Sequence, residues 1–286
     1  MQVLQTIEQV REALRPARRA GRRIGFVPTM GAMHDGHWSL VDRARQTSDE
    51  VVVSIFVNPL QFGPSEDLEA YPRSLENDLA GCERRGCDWV FLPTLREMYP
   101  HEVLTRVVVR RLNEPLCGRT RTGHFEGVAT VVCKLFNIVL PDVAFFGEKD
   151  FQQLVIVRRM VRDLNLSVEI VACPTVRAPD GLALSSRNAY LNPDQRSRAV
   201  SLSAALRAAA EAVKHGERDA RRLIASVGQG IAHAGPVEIE YVEVVDPETL
   251  EAVERVDRPA RLCVAARFGP ARLIDNIALD GGACAP

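Results

Sequence analysis

Apolar positions along the chain follow two rhythms. Short runs rich in β-branched and aromatic residues read as buried strands: IGFVPT at 24–29, VVVSIFV at 51–57, DWVFL at 88–92, DVAFF at 142–146 and the stretch 168–172. Between them lie longer segments with apolar residues every three or four positions. These predict helices over 36–46 (through Trp38, Leu40, Val41 and Ala44), 73–85, 125–140 and 150–164. The opening MQVLQTIEQVREALRPARRAGRRIG predicts a first amphipathic helix with a solvated basic face. Residues 106–110 predict a further extended segment. Strands alternating with helices of this length imply a parallel sheet covered on both faces.

The rhythm then changes. Residues 174–192 are rich in loop formers, 193–234 read as two helices dense in Ala and Arg, and VEIEYVEVV (237–245) and RLCVAAR (261–267) read as strands. We place a boundary near residue 175, giving an α/β domain over 1–175 and a smaller α+β domain over 176–286. A chain of 286 residues accommodates this division, at about 150 residues per domain.

Composition narrows the function classes. Apolar residues make up 46% of the chain and charged residues 26%, ordinary values for a folded protein and not those of a disordered one. With 36 Lys and Arg against 37 Asp and Glu, the formal net charge is −1, which argues against nucleic-acid or membrane-surface binding. No apolar stretch approaches the ~18 residues of a membrane span, and the N-terminus has no secretory apolar region. The seven cysteines (Cys82, Cys87, Cys117, Cys133, Cys173, Cys263, Cys284) include no C-x-x-C pair, which predicts reduced, structural thiols in a reducing cytoplasm.

Four segments carry candidate chemistry. PTMGAMHDGHWSL (28–40) follows the first predicted strand and opens a helix, where open α/β sheets bind ligands. Its Gly31 and Gly36 allow close backbone approach, the helix start offers N–H groups to an anion, and His34 and His37 can face one phosphate chain. No P-loop is present. FVNPLQF (56–62) ends the strongest strand, and the amides of Asn58 and Gln61 suit hydroxyl and carbonyl groups. FFGEKDFQQL (145–154) repeats the strand–glycine–helix pattern, placing the cation Lys149 where phosphates lie, Asp150 at a cap or metal position, and Gln153 a turn later. RAPDGLALSSRN (177–188) lies at the domain junction and offers Ser185, Ser186 and Arg187 as donors for a triphosphate.

In this order the four segments resemble the pantothenate synthetase (pantoate–β-alanine ligase) family, with the resemblance running from the first helix to ARLIDN at 271–276. His34-Asp35-Gly36-His37 is similar to the HIGH motif of the wider nucleotidyl-transfer group, and Leu184-Ser185-Ser186-Arg187 to its KMSKS loop. The resemblance implies a Rossmann-like parallel sheet with a HIGH-type nucleotide site. It implies a ligase that joins pantoate to β-alanine through a pantoyl adenylate, releasing AMP and pyrophosphate. Catalytic roles would fall to His34, His37, Lys149 and Arg187. The ATP site would comprise Met30, Gly31, Ala32, Met33, His34, Asp35, Gly36, His37, Gly147, Glu148, Lys149, Asp150, Val176, Leu184, Ser185, Ser186 and Arg187. Gln61 and Gln153 would hold pantoate, with Asn58 beside them, and Tyr71 and residues 121–124 would border the cleft. Mg²⁺ would arrive with ATP, without an assigned protein ligand, and the family is typically a cytoplasmic homodimer. Thr122 stands where proline is expected before Gly123-His124-Phe125, and Leu184 where some members carry Met. The residues also admit a nucleotidyltransferase that keeps the nucleotide on its product. A synthetase fragment or RNA-binding module is opposed by the neutral charge and few aromatics. A silent ATP-binding regulator is opposed by the full set of cationic candidates.

Overall fold

Alternation within the buried runs decides the architecture, because successive side chains of a strand leave on opposite faces. A computed structural model describes residues 1–64 and 66–280. Its first part runs β1 (Gln2–Leu4), α1 (Ile7–Arg19), β2 (Ile24–Thr29), α2 (Asp35–Thr47), β3 (Glu50–Ile55), α3 (Leu75–Arg84), β4 (Trp89–Phe91), α4 (Leu95–Met98), α5 (Cys117–Thr120), α6 (His124–Val139), β5 (Val143–Gly147), α7 (Phe151–Asp163) and β6 (Glu169–Cys173). These six strands pair in parallel in the order β1-β4-β3-β2-β5-β6. Phe26, Val52, Ala144 and Phe146 enter one core layer with α1, α6 and α7. Their neighbours Val27, Val51, Val53, Val143 and Phe145 enter the other, beneath α2 and α3. Burial on both faces is why these strands read as continuous apolar runs.

The strand order reverses at β2, which pairs with β3 on one side and β5 on the other. The chain proceeds outward through β3 and β4, then crosses back to β5 and continues to β6. The loops leaving β2 and β5 therefore diverge at the carboxyl edge of the sheet, and a crevice opens between them. Helix α6 lines the floor of that region. Eleven of its sixteen residues are buried, which accounts for its apolar sequence.

The second part comprises α8 (Pro193–Lys214), α9 (Ala220–Ala232) and an antiparallel sheet of β7 (Glu238–Val245), β8 (Ala260–Phe268) and β9 (Ala271–Leu279), in that order. Helix α8 starts where the sequence signals it: Asn192 caps Gln195 N–H, Gln195 returns the bond, and Pro193 occupies the first turn. Leu202, Leu206, Val227, Ile231, Leu262, Val264, Phe268 and Leu273 belong to a core of its own.

Three details depart from the sequence expectation. Residues 106–110 join neither sheet; Val107 N–H donates instead to Thr130 Oγ1 on α6 at 2.9 Å. Strand β1 is only three residues long, too short for a period to show. Strand β9 interrupts its apolar pattern with Asp275 and Asn276, which are buried. Cys82, Cys87, Cys117, Cys133, Cys173 and Cys263 are free thiols, while Cys284 lies outside the described residues. Among the described residues, no helix is long and apolar enough to cross a membrane.

One close packing contact bears on the crevice. A Cβ added at Gly127 of α6 would lie 2.2 Å from Leu60 O and 2.6 Å from Gln61 N, main-chain atoms of the turn that carries Gln61. Gly127→Ala gains up to about 1 kcal/mol in helix propensity, but it must displace backbone, an overpacking that costs ~1–3 kcal/mol. We expect a lower urea midpoint for this variant. A midpoint at or above wild type would show that the turn can retreat freely.

Candidate active site

The first wall of the crevice is the exit from β2. Thr29 Oγ1 donates to Ser54 O at 2.7 Å and accepts Gly31 N–H at 3.2 Å, which starts the turn. Gly31 and Ala32 follow with φ of +81° and +49°, the left-handed region that favours glycine. The strained turn is held from behind by Asp78 of α3, which is 1% exposed. Its carboxylate accepts Ala32 N–H at 2.9 Å, Met33 N–H at 2.8 Å and Ser74 Oγ at 3.1 Å.

The turn delivers His34 to the cap position of α2. His34 Nδ1 accepts Gly36 N–H at 3.1 Å, and His37 Nδ1 accepts His34 N–H at 3.4 Å. Since a backbone N–H can only donate, both rings carry their proton on Nε2 when neutral. The rings lie 4.2 Å apart between centroids. Burial, with Lys149 nearby, lowers the His34 pKa to about 4. Burial, with His34 nearby, lowers that of His37 to about 3. A Cβ at Gly36 would lie 2.8 Å from His34 Cε1, so a side chain there would have to displace the ring.

The opposite wall is the exit from β5. A short 3₁₀ turn, Glu148–Asp150, leads into α7 and brings Lys149, Asp150 and Gln153 to the cleft beside Gly147. Desolvation within the cleft opposes ionisation of Asp150, yet Lys149, His37, Arg187 and His124 hold its carboxyl below the usual range. Gln153 and its neighbour Gln152 differ sharply. Gln152 is consumed by packing: it accepts Cys117 N–H at 3.1 Å and donates to Leu112 O and Pro115 O at 3.0 and 2.7 Å.

Deeper in the cleft, Val128, Val131, Val132 and Leu135 of α6 face Phe56, Phe62 and Tyr71. Gln61 ends the short turn Pro59–Gln61, with its amide nitrogen 3.1 Å from Met30 Sδ. Asn58 lies behind it, 1% exposed. Its amide donates to Gln61 Oε1 at 3.2 Å and Gly127 O at 3.1 Å, and its oxygen accepts Tyr99 OH at 2.8 Å. Alongside, Arg121 donates to His124 Nε2 at 2.9 Å, so the His124 proton resides on Nδ1 and is donated to Gln61 O at 2.8 Å. Burial, reinforced by Arg121, lowers His124 to about 4.

The fourth segment closes the cleft from the junction. Val176, Leu184, Ser185, Ser186 and Arg187 all line it. Ser185 Oγ accepts Arg187 N–H at 3.3 Å, and Ser186 Oγ donates to Tyr71 OH at 3.4 Å. The Arg187 guanidinium forms a two-point pair with Asp67, at 2.9 and 2.7 Å. The adjacent Glu66 pairs in the same way with Arg121, at 2.6 and 2.7 Å.

The structure thus brings into one cleft Met30, His34, Gly36, His37, Gln61, Gly147, Lys149, Asp150, Gln153, Val176, Leu184, Ser185, Ser186 and Arg187, with Tyr71, Arg121 and His124. It does not bring the others to the cleft surface. Gly31 donates its amide to Thr29 Oγ1, Ala32 and Met33 donate theirs to Asp78, Asp35 is exposed, Glu148 pairs with Arg261 at 3.0 Å, and Asn58 supports Gln61. Sequence reasoning missed Asp78, Glu66 and Asp67. Their only signal is a carboxylate in a buried or loop context, which becomes informative once its partners are known.

Known proteins share this sequence pattern and fold. The sequence profile of the pantoate-beta-alanine ligase family matches residues 2–278. A pantothenate synthetase of Thermotoga neapolitana is 52% identical over 279 residues, covering 98% of this chain and all of its own length. The crystal structure of pantothenate synthetase from Thermus thermophilus superposes with a TM-score of 0.93 at 47% identity, covering 98% of this chain and 100% of its own. That of pantoate-beta-alanine ligase from Francisella tularensis, complexed with beta-gamma ATP and beta-alanine, reaches a TM-score of 0.80 at 33% identity, with 97% of each chain covered. The chain belongs to the pantoate-beta-alanine ligase family.

Proposed function

We propose that the protein, an ATP-dependent ligase that condenses pantoate with β-alanine to pantothenate, works through a pantoyl adenylate formed in this cleft. The observation that carries this is the meeting, at the strand-order reversal, of a His34–His37 donor pair, two cations and an amide-bearing apolar pocket. In the first step a pantoate carboxylate oxygen bonds to the α-phosphorus of ATP as the bond to pyrophosphate breaks. In the second, the β-alanine amine bonds to the activated carbonyl, loses a proton, and AMP leaves with its electron pair. Transfer at phosphorus needs positioning and charge neutralisation more than covalent help. His34 and His37 offer neutral Nε2–H donors, while Lys149 and Arg187 offer cations. Gln61 and Gln153 present amides suited to the hydroxyl groups of pantoate, against the apolar face of α6. A nucleotidyltransferase that retains the nucleotide would have no use for this second, amine-accepting step.

Arg187 reaches the cleft already paired with Asp67. A triphosphate would therefore compete with Asp67 for it, linking nucleotide entry to movement of the loop at 184–187. Residues 176–286 would close over the active site as a smaller domain, with the boundary near 175. Mg²⁺ would enter chelated to ATP and supply the remaining positive charge. Among the described residues no cluster of three or more His, Cys, Asp or Glu forms a metal site, and Asp150 is the single carboxylate lining the cleft. Asp150, held ionised, is the protein group that would face the ion. Family membership supports a homodimer working in the cytoplasm.

Two expected outcomes test this account. Wild-type protein should exchange labelled pyrophosphate into ATP when pantoate is present and β-alanine is absent, and Lys149→Ala should slow that exchange by ~100- to 1000-fold, the scale of losing one charge-stabilising donor. Active protein without exchange would sink the adenylate, and a near-normal Lys149→Ala rate would show that the phosphates lie elsewhere. The second outcome concerns pH. His34, His37 and His124 titrate at about 4, 3 and 4 when folded, against an ordinary 6.5, so below 6.5 the unfolded chain binds more protons. Stability should therefore fall as pH drops from 6.5 toward 4. His124→Asn should flatten the slope of Tm against pH in that window; an unchanged slope would contradict the buried neutral state.

A further inference from the structure

Strand β9 carries two buried polar side chains outside the cleft lining, Asp275 and Asn276. Asp275 and Asn276 are 3% and 4% exposed, although they come from the second sheet and lie beside the cleft only at its rear. Buried polar groups require partners, and theirs are unusually informative. The Asn276 amide donates to the main-chain oxygens of Glu148 and Lys149, at 3.0 and 2.9 Å. Those are successive carbonyls of the turn that presents Lys149 to the cleft. The Asn276 oxygen accepts Arg261 Nε at 2.6 Å, and Arg261 also reaches the Glu148 carboxylate at 3.0 Å while lying 4.4 Å over the Phe151 ring. The side chain at 276 must therefore donate twice and accept once within a closed space. An amide does this, and the isosteric carboxylate cannot, because it has no donor.

Asp275 holds the other phosphate-facing segment. Its two oxygens accept Arg177 at 2.6 and 2.9 Å, and one of them also accepts Asn276 N–H at 2.8 Å. Arg177 stands at the base of the loop that ends in Ser185, Ser186 and Arg187, and it spans that base by donating to Gly181 O at 3.2 Å. Two consecutive residues of one strand thus grip the backbone behind Lys149 and the base of the loop bearing Arg187.

We propose that Asp275 and Asn276 are positioning residues that set Lys149 and the loop at 184–187 in a common frame for adenylation. Neither touches substrate; each acts through a cation that does. The proposal rests on the adenylating function inferred above. It identifies why a buried polar pair stands among the inward-facing positions of an edge strand, and it makes the second domain part of the chemistry even before any closure.

The test is a double-mutant cycle read by pantoate-dependent pyrophosphate exchange. Asn276→Asp keeps the shape and the bond from Arg261 but removes both donations to the turn. We expect exchange at saturating substrates to slow about 10- to 100-fold, as for a catalytic group displaced by a fraction of an ångström, with pantoate KM nearly unchanged. In a Lys149→Ala background the same substitution should change the rate by less than about two-fold, since residues acting as one unit are not additive. Folding is checked by thermal unfolding of each variant. Should Asn276→Asp not fold, Asp275→Asn in wild-type and Arg187→Ala backgrounds gives the equivalent cycle with the same expected coupling. A folded Asn276→Asp protein with wild-type exchange, or losses that multiply independently in either cycle, would overturn the proposal. Wild-type protein lacking exchange would instead overturn the adenylating function on which it rests, and the two failures are distinct.

Discussion

Reversal of strand order at β2 is the constraint from which the rest of the site follows. A parallel sheet buried on both faces offers ligands no access through its faces, and its edges are occupied by β1 and β6. Only where neighbouring strands send their loops in opposite directions does backbone separate enough to admit a ligand. Here that place is between β2 and β5, so the residues after those two strands are the ones positioned to do chemistry. His34 and His37 follow the first, and Lys149 and Asp150 follow the second.

The site depends on holding irregular backbone rigidly at this opening. Two successive left-handed residues, Gly31 and Ala32, are tolerated because Thr29 Oγ1 satisfies the amide of Gly31 and Asp78 satisfies those of Ala32 and Met33. In the turn Glu148–Asp150 the carbonyls of Glu148 and Lys149 are satisfied from β9. Charge is managed in the same way. Each cleft arginine has a carboxylate partner from the one loop containing Glu66 and Asp67, so cations are kept close to the cleft without being left unpaired in a partly dry space. The histidines avoid the problem by staying neutral. Their tautomers are dictated by the donors that face them: backbone N–H groups for His34 and His37, and Arg121 for His124.

Much of this was legible in the sequence, and the divide between what was and was not is physical. Strand β2 matches its predicted span of 24–29 because the Ile-Gly-Phe-Val run is bounded by a charged loop and a glycine turn. The helix α6 was readable from the apolar residues that dominate 125–140, interrupted only at intervals by Glu126, Thr130, Lys134 and Asn137. Lys149 and the histidine pair announced themselves through strand–glycine–helix spacing. Residues that act by supporting others carry no such spacing. Asp78 looks like any helix carboxylate until Ala32 and Met33 are found against it, and Asn58 reads as a substrate contact until Tyr99 and Gly127 are found to occupy it. The segment 106–110 has the composition of a strand, but strand character needs a partner edge. Its amide at Val107 found a threonine hydroxyl instead.

The central claim is that the pantoate carboxylate attacks phosphorus and that AMP later departs with an oxygen from that carboxylate. Carrying out the complete reaction with pantoate labelled with heavy oxygen in its carboxyl group tests this directly by mass spectrometry. The label should appear in AMP and in pantothenate, with none in pyrophosphate. Unlabelled AMP alongside normal yields of pantothenate would contradict it.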